Sequence, residues 1–494
     1  MDFLSLAPAF HWVFLGLMTL CIVALLLWWR SGGNRRFFIG LNLFFALAFA
    51  GLLTHQAYWQ LGGGASLDFQ KFQRRYDMRP ATVARNAEGR GRLLDRRNTV
   101  LAQARKGHRW GHETLLGAAG LHVVGYSSRE FGLSGLERVF DTQLCGFSLK
   151  PLASRAVLER PQPQDVRTTL DARLQRVAFD ALNGRRGAVV ILDPRNGELL
   201  ALVSSPSSDE RALRSAMNDS ARAPLFNRAT QGLYAPGSTF KIFTAALALK
   251  NRKATRYVCP AMGWEPGAYT AAIRDSHPTD DSDYELPRAF AESSNIYFAK
   301  AAVACGWNAF SAEAQQLGLA RGFTLASCGE RSFGAVPGIV PDLSQTPNRL
   351  AYLGFGQGDL RLTPLHIAAL TATIANDGVL CPPHLILNES EAASRIWSKA
   401  IAAQVKALMR GSVTTGTSRA IAIEGLDVCG KTGTAENAGR DHAWFTCFAP
   451  AQHPRIVITV LVENGGFGAA SALPIAKTLL KTWQSFRPTA RTSN

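Results

Sequence analysis

Two apolar stretches near the N-terminus constrain this 494-residue chain more than any other feature. Val13–Trp29 and Phe37–Leu53 contain no charged residue. Each is close to the length that a helix needs to cross a bilayer. The loop between them carries Arg30, Arg35 and Arg36, whereas neither Lys nor Arg precedes the first stretch. The chain therefore combines a hydrophobic hairpin with the large region that follows it.

This pattern predicts a membrane anchor in residues 1–60, with two transmembrane helices at about 12–29 and 37–54. Cytoplasmic loops are enriched in Lys and Arg, so we expect the basic loop in the cytoplasm and everything beyond about residue 60 on the outer face. A cleaved signal peptide is the alternative for the first stretch. Neither a basic segment nor a small-residue cleavage site accompanies it, which favours a retained span.

The composition supports a large folded region and a basic surface. Apolar residues make up 47% of the chain and charged residues 18%, which is too apolar for a disordered protein. The 54 Lys and Arg exceed the 37 Asp and Glu by 17 charges, which suits an anionic partner. The arginines are scattered and form no nucleic-acid motif. We therefore expect a lipid surface or an acidic polymer as partner, and no nucleic acid.

The eight cysteines form no motif. Cys21 lies in the first predicted span, and the others include no C-x-x-C pair, which disfavours zinc, so no metal site is predicted. Cys429 and Cys447 flank a predicted hairpin and are the pair best placed for a disulfide outside the cytoplasm. The alternative is that they are two small core residues.

Changes in composition divide the rest of the chain. Gly62–Ser66 reads as a linker, and Pro161–Gln164 marks a boundary. Residues 61–165 are predicted to form this linker and a small α+β pedestal. Residues 166–486 form the main domain, and 487–494 form a tail.

The main domain is predicted to be an α/β sandwich, in which helices cover a mainly antiparallel sheet. Two apolar runs, Gly187–Asp193 and Glu198–Val203, surround an Asn-Gly turn and predict a hairpin. Further along the chain, a helix is expected to begin near Ser238 and another after Thr363, with Pro364 at its first position. Three late strands and a last helix are expected in the stretches Asp427–Thr434, Ala443–Phe448, Ile456–Val462 and Pro474–Phe486.

Ser238 and Lys241 are the first candidates for chemistry. They lie three residues apart at a predicted helix start, so both face one side, about one turn apart. The helix N-terminus favours negative charge on the serine oxygen. A serine needs a neighbouring base, and a lysine acts as one only when its pKa falls. The alternative interpretation of Ser238 is an ordinary helix cap.

Two further segments are ambiguous when taken singly. Ser293-Ser294-Asn295 precedes an apolar run and could simply cap a helix. Lys431-Thr432-Gly433-Thr434 lies within a strand pattern, where a glycine indicates close approach of a backbone or ligand. Its lysine and hydroxyls could bind a carboxylate there. The alternative is a solvated edge-strand lysine with a glycine that relieves twist.

The order S-x-x-K, then S-x-N, then K-T-G is far more specific than its parts. On these motifs the chain resembles class B penicillin-binding proteins, the membrane-anchored D,D-transpeptidases of peptidoglycan synthesis. The resemblance covers roughly residues 85–480. Other segments that match the family are Gly89–Arg96, Tyr126 with Gly132–Glu137, Tyr234–Ser238, Gly354–Gly358 with Thr363-Pro364, and His442–Phe445.

The resemblance implies the penicillin-binding/β-lactamase-like fold and a serine acyl-enzyme mechanism without a cofactor. Ser238 would attack the penultimate D-Ala carbonyl of a stem peptide, and Lys241 would take its proton. Ser293 would relay a proton to the leaving amine, helped by Lys431, whose charge would also lower the pKa of Lys241. Asn295 would bind the substrate amide and steady Lys241.

The same resemblance assigns substrate and partners. Thr432, Gly433 and Thr434 would hold the terminal carboxylate, and the backbone N–H groups of Ser238 and Thr434 would form the oxyanion hole. The implied ligands are stem peptides, the lipid-linked precursor and β-lactam antibiotics. The implied setting is the bacterial cytoplasmic membrane, beside a glycan polymerase of the SEDS type.

Three alternatives remain open at the level of sequence. A β-lactamase or D,D-carboxypeptidase would use water as acceptor, but no Glu between Asn295 and Lys431 has an Asn four residues later, and the anchor favours a transpeptidase. A non-catalytic scaffold conflicts with three intact motifs. A bifunctional enzyme lacks room for a glycosyltransferase domain before Val166. The two predicted spans and the small pedestal depart from the family pattern.

Overall fold

The computed structural model describes residues 40–41, 44–45, 48–52, 90–104, 112–128, 130–146, 163–267, 270–276, 282–344 and 346–486. The first predicted span, the 62–66 linker and the 487–494 tail lie outside these residues. The described residues of the second predicted span are helical. Within the described ranges, no helix is both long and apolar enough to cross a bilayer. The elements from Arg90 onward belong to one compact unit.

A six-stranded sheet with two short helices precedes the main domain. Its strand order is β5-β4-β3-β2-β1-β6, and only the β1–β6 pair is parallel. Buried Arg90 binds Glu137 at 2.8 Å and Asp141 at 2.6 Å, which fixes the helices to the start of the sheet. The elements are β1 (Leu93–Leu94), β2 (Val100–Ala104), β3 (His112–Thr114), β4 (Ser127–Ser128), β5 (Gly132–Leu133), α1 (Gly135–Val139), α2 (Asp141–Leu144) and β6 (Val166–Arg167).

The main domain is built on a sheet that consists of β7 (Gly187–Leu192), β8 (Leu199–Ser205), β15 (Cys429–Ala435), β16 (His442–Ala449) and β17 (Ile456–Val462). These strands are antiparallel throughout, in the order β15-β16-β17-β7-β8. Its small paired strands are β9 (Tyr257–Cys259), β10 (Ser282–Tyr284), β11 (Thr324–Cys328), β12 (Arg331–Gly334), β13 (Val379–Leu380) and β14 (Ser394–Arg395).

The helices of this domain cover both faces of the sheet. They are α3 (Ala172–Leu182), α4 (Leu213–Asn218), α5 (Lys241–Lys250), α6 (Leu286–Glu292), α7 (Asn295–Cys305), α8 (Trp307–Gln316), α9 (Leu350–Gly354), α10 (Pro364–Ala375), α11 (Lys399–Thr414), α12 (Gly468–Ser471) and α13 (Leu473–Ser485). Short 3₁₀ turns occur at Gly117–Ala119, Glu210–Ala212, Gly237–Phe240, Pro347–Arg349 and Arg419–Ile421.

Burial on both faces explains why the sheet strands are continuously apolar. Every residue of β7, β8 and β17 is buried, so alternation of polar and apolar residues is absent from them. One core lies between the sheet and the helices α5, α7 and α10, and a second lies against α3 and α13. The predicted α/β sandwich, including the β7–β8 hairpin and the three late strands, is confirmed.

Helix α10 shows how local sequence sets an element boundary. Thr363 caps it by accepting from the His366 backbone N–H, and the Thr363 backbone N–H donates to Nδ1 of the His366 ring. Pro364 occupies the first helical position, where no N–H is needed. The helix ends before Asn376, and Gly378 has a positive φ of 84°. The predicted start at Pro364 is confirmed.

The predicted disulfide between Cys429 and Cys447 is wrong. Cys429 pairs across the sheet with Phe448, and Cys447 pairs with Gly430, so the two thiols point to opposite faces. Both are buried free cysteines, one in each core. Burial raises the pKa of Cys429 to about 12, which keeps it a thiol. The alternative interpretation, two small core residues, is confirmed.

Candidate functional site

The candidate nucleophile lies in a tight turn just before helix α5. Pro236 and Gly237, with φ of −76° and +54°, bend the chain into a 3₁₀ turn over Gly237–Phe240, and Lys241 is the first residue of α5. In a 3₁₀ turn, residues three apart eclipse each other, so Ser238 and Lys241 share one side. Ser238 is partly exposed and caps no helix in the structure. The alternative interpretation of this serine, an ordinary helix cap, is therefore wrong.

Two other segments hold this turn in place. A Cβ at Gly237 would lie 2.3 Å from the carbonyl oxygen of Thr434, which excludes any side chain there. On the other side, the Gly237 N–H donates to the Gly356 carbonyl at 2.8 Å. The nucleophile turn is therefore held between strand β15 and the loop after α9, two of the segments that the sequence singled out.

The Ser293 turn brings a carbonyl and a hydroxyl to Lys241. Ser293 follows α6 with φ of 62° and ψ of 43°, an unusual conformation for a residue with a side chain. Lys241 Nζ donates to the Ser293 carbonyl at 2.6 Å, to Ser293 Oγ at 3.2 Å and to Asn295 Oδ1 at 2.7 Å. Strained backbone of this kind clusters at functional sites.

Ser293 Oγ lies between two buried lysines. Lys431 Nζ donates to it at 2.8 Å, opposite the 3.2 Å contact of Lys241. Both lysine side chains are fully buried, and the rings of Phe298 and Phe290 lie 5.8 Å and 5.7 Å from their ammonium groups. Lys431 is therefore not the solvated strand residue of the alternative interpretation.

Burial lowers the pKa of both lysines, and the charge of Lys431 lowers that of Lys241 further. The pKa of Lys241 falls well below its ordinary value, first because of burial and second because of the nearby charge of Lys431. Burial alone lowers the pKa of Lys431 to about 7. The pair therefore holds fewer protons near neutral pH than two exposed lysines would, and Lys241 is suited to accept one.

Strand β15 lines the cleft beside the nucleophile. A Cβ at Gly433 would lie 2.9 Å from Thr239 Cγ2 and 3.0 Å from Trp444 Cβ, so the glycine allows strand and turn to touch. Thr432 Oγ1 lies 2.8 Å from Thr417 Oγ1, in the segment after α11. The close approach that the sequence predicted at Gly433 is the approach of the nucleophile turn.

Asp275 is a polar residue of the site that sequence reasoning missed. Its carboxylate accepts from Ser294 Oγ at 2.7 Å and from the backbone N–H groups of Asn295 at 2.5 Å and Ile296 at 3.0 Å. The neighbouring Arg274 carbonyl accepts from Asn295 Nδ2 at 2.9 Å. Asp275 thus fixes the start of α7, and its charge raises the pKa of Lys241, against the effect of Lys431. Ser294 caps α7, so the capping interpretation holds for this serine alone.

The structure brings all eight predicted site residues together around one cleft of about 640 Å³. Ser238, Ser293, Asn295 and the Thr432–Thr434 strand line it, whereas Lys241 and Lys431 lie beneath, bonded to Ser293. Lining residues that the sequence did not indicate include Thr417, Arg419 and Phe467. They lie far from the three motifs along the chain, so no spacing rule could have found them.

A partly exposed serine, a buried lysine of lowered pKa three residues later, a bridging hydroxyl and a second buried lysine define a serine acyltransferase site. Residues 187–481 match the family model for the penicillin binding protein transpeptidase domain, which shows that the chain belongs to this family.

Named relatives and solved structures agree with this assignment. The chain is 32% identical to peptidoglycan D,D-transpeptidase PbpA of Mycobacterium tuberculosis, over 73% of this chain and 81% of that protein. It is 29% identical to peptidoglycan D,D-transpeptidase MrdA of Haemophilus influenzae, over 84% and 70%. The imipenem acyl-enzyme complex of penicillin-binding protein A from M. tuberculosis superposes with a TM-score of 0.72 at 28% identity, covering 81% of this chain and all of that one.

Proposed function

We propose that this protein is a class B penicillin-binding protein, a D,D-transpeptidase that crosslinks peptidoglycan stem peptides and is acylated by β-lactams. The observation that carries the proposal is the placement of Ser293 Oγ between Lys241 and Lys431, in the cleft that Ser238 lines. The names of the D,D-transpeptidase relatives and the acyl-enzyme complex support the same chemistry.

In the acylation step, Ser238 Oγ attacks the carbonyl carbon between the last two D-Ala residues. Lys241, whose pKa is lowered chiefly by burial, takes the hydroxyl proton as the oxygen–carbon bond forms. Ser293 then passes a proton to the leaving nitrogen and regains one from protonated Lys241, which becomes neutral again, while the carbon–nitrogen bond breaks. D-Ala departs as a free amine, and the stem peptide remains as an ester of Ser238. Ser293 can act as this relay because it contacts both lysines.

In the second step an amine of another stem peptide attacks the ester. It forms a new peptide bond, and the proton that it loses returns to Ser238 through Lys241. Thr432 and Thr434, on the cleft side of β15, would bind the terminal carboxylate of the donor peptide. The backbone N–H groups of Ser238 and Thr434 would stabilise the oxyanion, and each such donor is worth about 3 kcal/mol.

Covalent labelling with fluorescent penicillin tests the nucleophile. Ser238→Ala should abolish the adduct, because it removes the hydroxyl that is proposed to become the acyl ester. The variant should still fold, since Ser238 caps no helix and is partly exposed. Unfolding by circular dichroism checks this point, and Ser215→Ala, an exposed serine of α4, is the labelled control. An adduct at the wild-type rate in Ser238→Ala would refute the assignment.

We also propose that a two-span hairpin within residues 1–60 anchors the protein in the bacterial cytoplasmic membrane, with the catalytic region on the outer face. The support is the charge-free stretches around Arg30, Arg35 and Arg36. A reporter that functions only outside the cytoplasm should be active when fused after residue 494. Activity of a cytoplasm-only reporter at that position would reject this topology.

The substrates and the partner follow from the same family. We infer that the donor strand derives from the lipid-linked precursor and that a SEDS-type glycan polymerase supplies it beside the membrane anchor. Crosslinking in the bilayer, followed by identification of the captured protein, tests this partner. If a chain that still binds penicillin captures no polymerase, the inferred partner is rejected while the catalytic assignment stands.

A further inference from the structure

A second cleft, of about 500 Å³, shares no lining residue with the catalytic one. Five arginines surround it, and we call it the arginine cleft: Arg96, Arg97, Arg173, Arg195 and Arg455. They come from four separate parts of the chain, namely the turn after β1, the start of α3, the β7–β8 turn and the β16–β17 turn. A fold that brings five like charges to one opening bears an electrostatic cost that an anionic ligand would relieve.

Carboxylates at the base of the arginine cleft neutralise only part of this charge. Asp171 binds Arg173 at 3.0 Å and Arg97 at 3.4 Å, and Asp193 binds Arg195 at 2.5 Å. Both aspartates are buried, whereas about half of the Arg97 and Arg195 side chains stays exposed. Each guanidinium has five N–H donors, so donors remain beyond those that bind the aspartates.

Two further basic residues that line the cleft have no acidic partner among the described residues. Arg455 and His453, both exposed, lie in the β16–β17 turn and make no ion pair there. Glu198 binds Arg96 at 3.0 Å. The arginine cleft therefore has five arginines and three carboxylates, which are Asp171, Asp193 and Glu198. A formal charge of +2 therefore remains.

The floor of the cleft is apolar. Trp483 and Phe486, from the end of α13, line it together with Leu174 and Leu200. The Arg173 guanidinium stacks on the Phe486 ring at 3.9 Å, which fixes its plane. The arginine cleft therefore offers guanidinium N–H donors together with an apolar floor.

We propose that the arginine cleft binds a phosphate-bearing anion. Guanidinium forks bind phosphate oxygens in pairs, and a tetrahedral phosphate can meet donors from several directions at once. A single carboxylate presents two oxygens in one plane, and Asp171 and Asp193 already hold the inner donors in that way. The phosphate belongs either to a soluble phosphorylated compound or to a phospholipid headgroup, whose glycerol portion would lie on the apolar floor.

Calorimetric titration of the full chain in neutral detergent tests the proposal with two probes, inorganic pyrophosphate and dihexanoyl phosphatidylglycerol. Dihexanoyl phosphatidylcholine is the zwitterionic reference. Saturable binding with a Kd of about 1 mM or tighter, weakening as salt rises, is expected for at least one anionic probe. Binding of pyrophosphate identifies a soluble ligand, and binding of phosphatidylglycerol alone identifies a lipid headgroup.

The matched variants decide where the probe binds. His453→Ala combined with Arg455→Ala removes an imidazole and a guanidinium without acidic partners and should weaken binding at least about tenfold. Arg211→Ala removes an exposed arginine elsewhere and should stay within about twofold of wild type. Both variants should keep the wild-type rate of penicillin acylation, which shows that the fold is intact. Absence of saturable binding to the wild type, or equal affinity in the double variant, would overturn the proposal.

Discussion

Two charged side chains act on Lys241 in opposite directions. The charge of Lys431 lowers the pKa of Lys241, whereas the charge of Asp275 raises it. Lys431 reaches the site from β15 and Asp275 from the segment before β10. If Lys241 is the base, removal of each charge should move the pH dependence of acylation in opposite directions.

Lys431→Met removes one charge and keeps most of the apolar stem. Loss of this charge raises the pKa of Lys241, so more alkaline solution is needed to obtain the neutral base. The rising limb of the pH–rate profile should move to higher pH, and acylation near neutral pH should slow by roughly a hundredfold or more. Lys431→Arg keeps a charge with other hydrogen-bond geometry and should acylate faster than the Met variant. A Met variant within about threefold of wild type across the pH range would reject this role.

Asp275→Asn is expected to shift the same limb to lower pH. The amide keeps an acceptor oxygen for the backbone of α7 but removes the charge that stabilises protonated Lys241. The control is Ser294→Ala, which loses the hydrogen bond to Asp275 without a change of charge. Both variants should slow acylation about tenfold, at a cost of about 1.4 kcal/mol in the barrier, but only Asp275→Asn should move the limb. An unchanged profile in Asp275→Asn would reduce this residue to a helix cap.

The residues of the site could be chosen from sequence only where a motif recurs at fixed spacing. Ser238 and Lys241, Ser293 and Asn295, and the strand after Lys431 all have such spacing, and the fold brings them into one cleft. Asp275 precedes Ser293 by 18 positions, with residues 277–281 between them outside the described ranges. Its role depends on a tertiary contact, which no local pattern encodes.

At the scale of elements, the contact between β15 and the nucleophile turn determines the geometry of the site. Gly433 and Gly430 belong to the same strand, and both are crowded. Gly433 faces Thr239 of the turn, whereas Gly430 faces the Phe445 ring. A Cβ at Gly430 would lie 2.9 Å from Cζ of that ring. Substitutions at these two glycines can therefore distinguish the packing of the strand from its contact with the turn.

Gly433→Ala should push β15 away from Ser238 and slow acylation about tenfold or more. The added methyl would lie 2.9 Å from Thr239 Cγ2, so strand or turn must move. Gly430→Ala is the matched control, because its methyl meets a side chain on the other side of the strand. Both should lose about 1–3 kcal/mol of unfolding free energy, as overpacked positions do. Equal acylation rates in the two variants would contradict the proposed role of the contact.

Elements with strong local signals could be predicted, and those fixed by packing could not. Capping and Pro364 define α10, and apolar runs around an Asn-Gly turn define the β7–β8 hairpin. The helix expected to begin near Ser238 instead begins at Lys241, after a 3₁₀ turn. That difference arises because Gly237 is held between Thr434 and Gly356, which lie far away in sequence.

At the scale of the whole molecule, the two buried lysines cost stability. A base whose pKa is lower in the folded state than in the unfolded chain destabilises the fold at every pH below the unfolded pKa. The cost is full below the folded pKa and disappears as the pH approaches the unfolded pKa. For Lys431, which falls from 10.5 to about 7, the cost at pH 7 is about 4 kcal/mol. The sheet and its two cores must supply that free energy.

Lys431→Met should therefore stabilise the protein that it inactivates. The methionine avoids the cost of burying the amine but loses hydrogen bonds to Ser293 Oγ and the Thr432 carbonyl, each worth about 1 kcal/mol. Urea unfolding at pH 7 should show a gain of about 2 kcal/mol over wild type. The gain should shrink as the pH rises towards 10, because the wild-type lysine then loses its proton in the unfolded chain as well. A variant that is less stable than wild type at pH 7, or a gain that does not change with pH, would show that the fold accommodates the protonated amine without this cost.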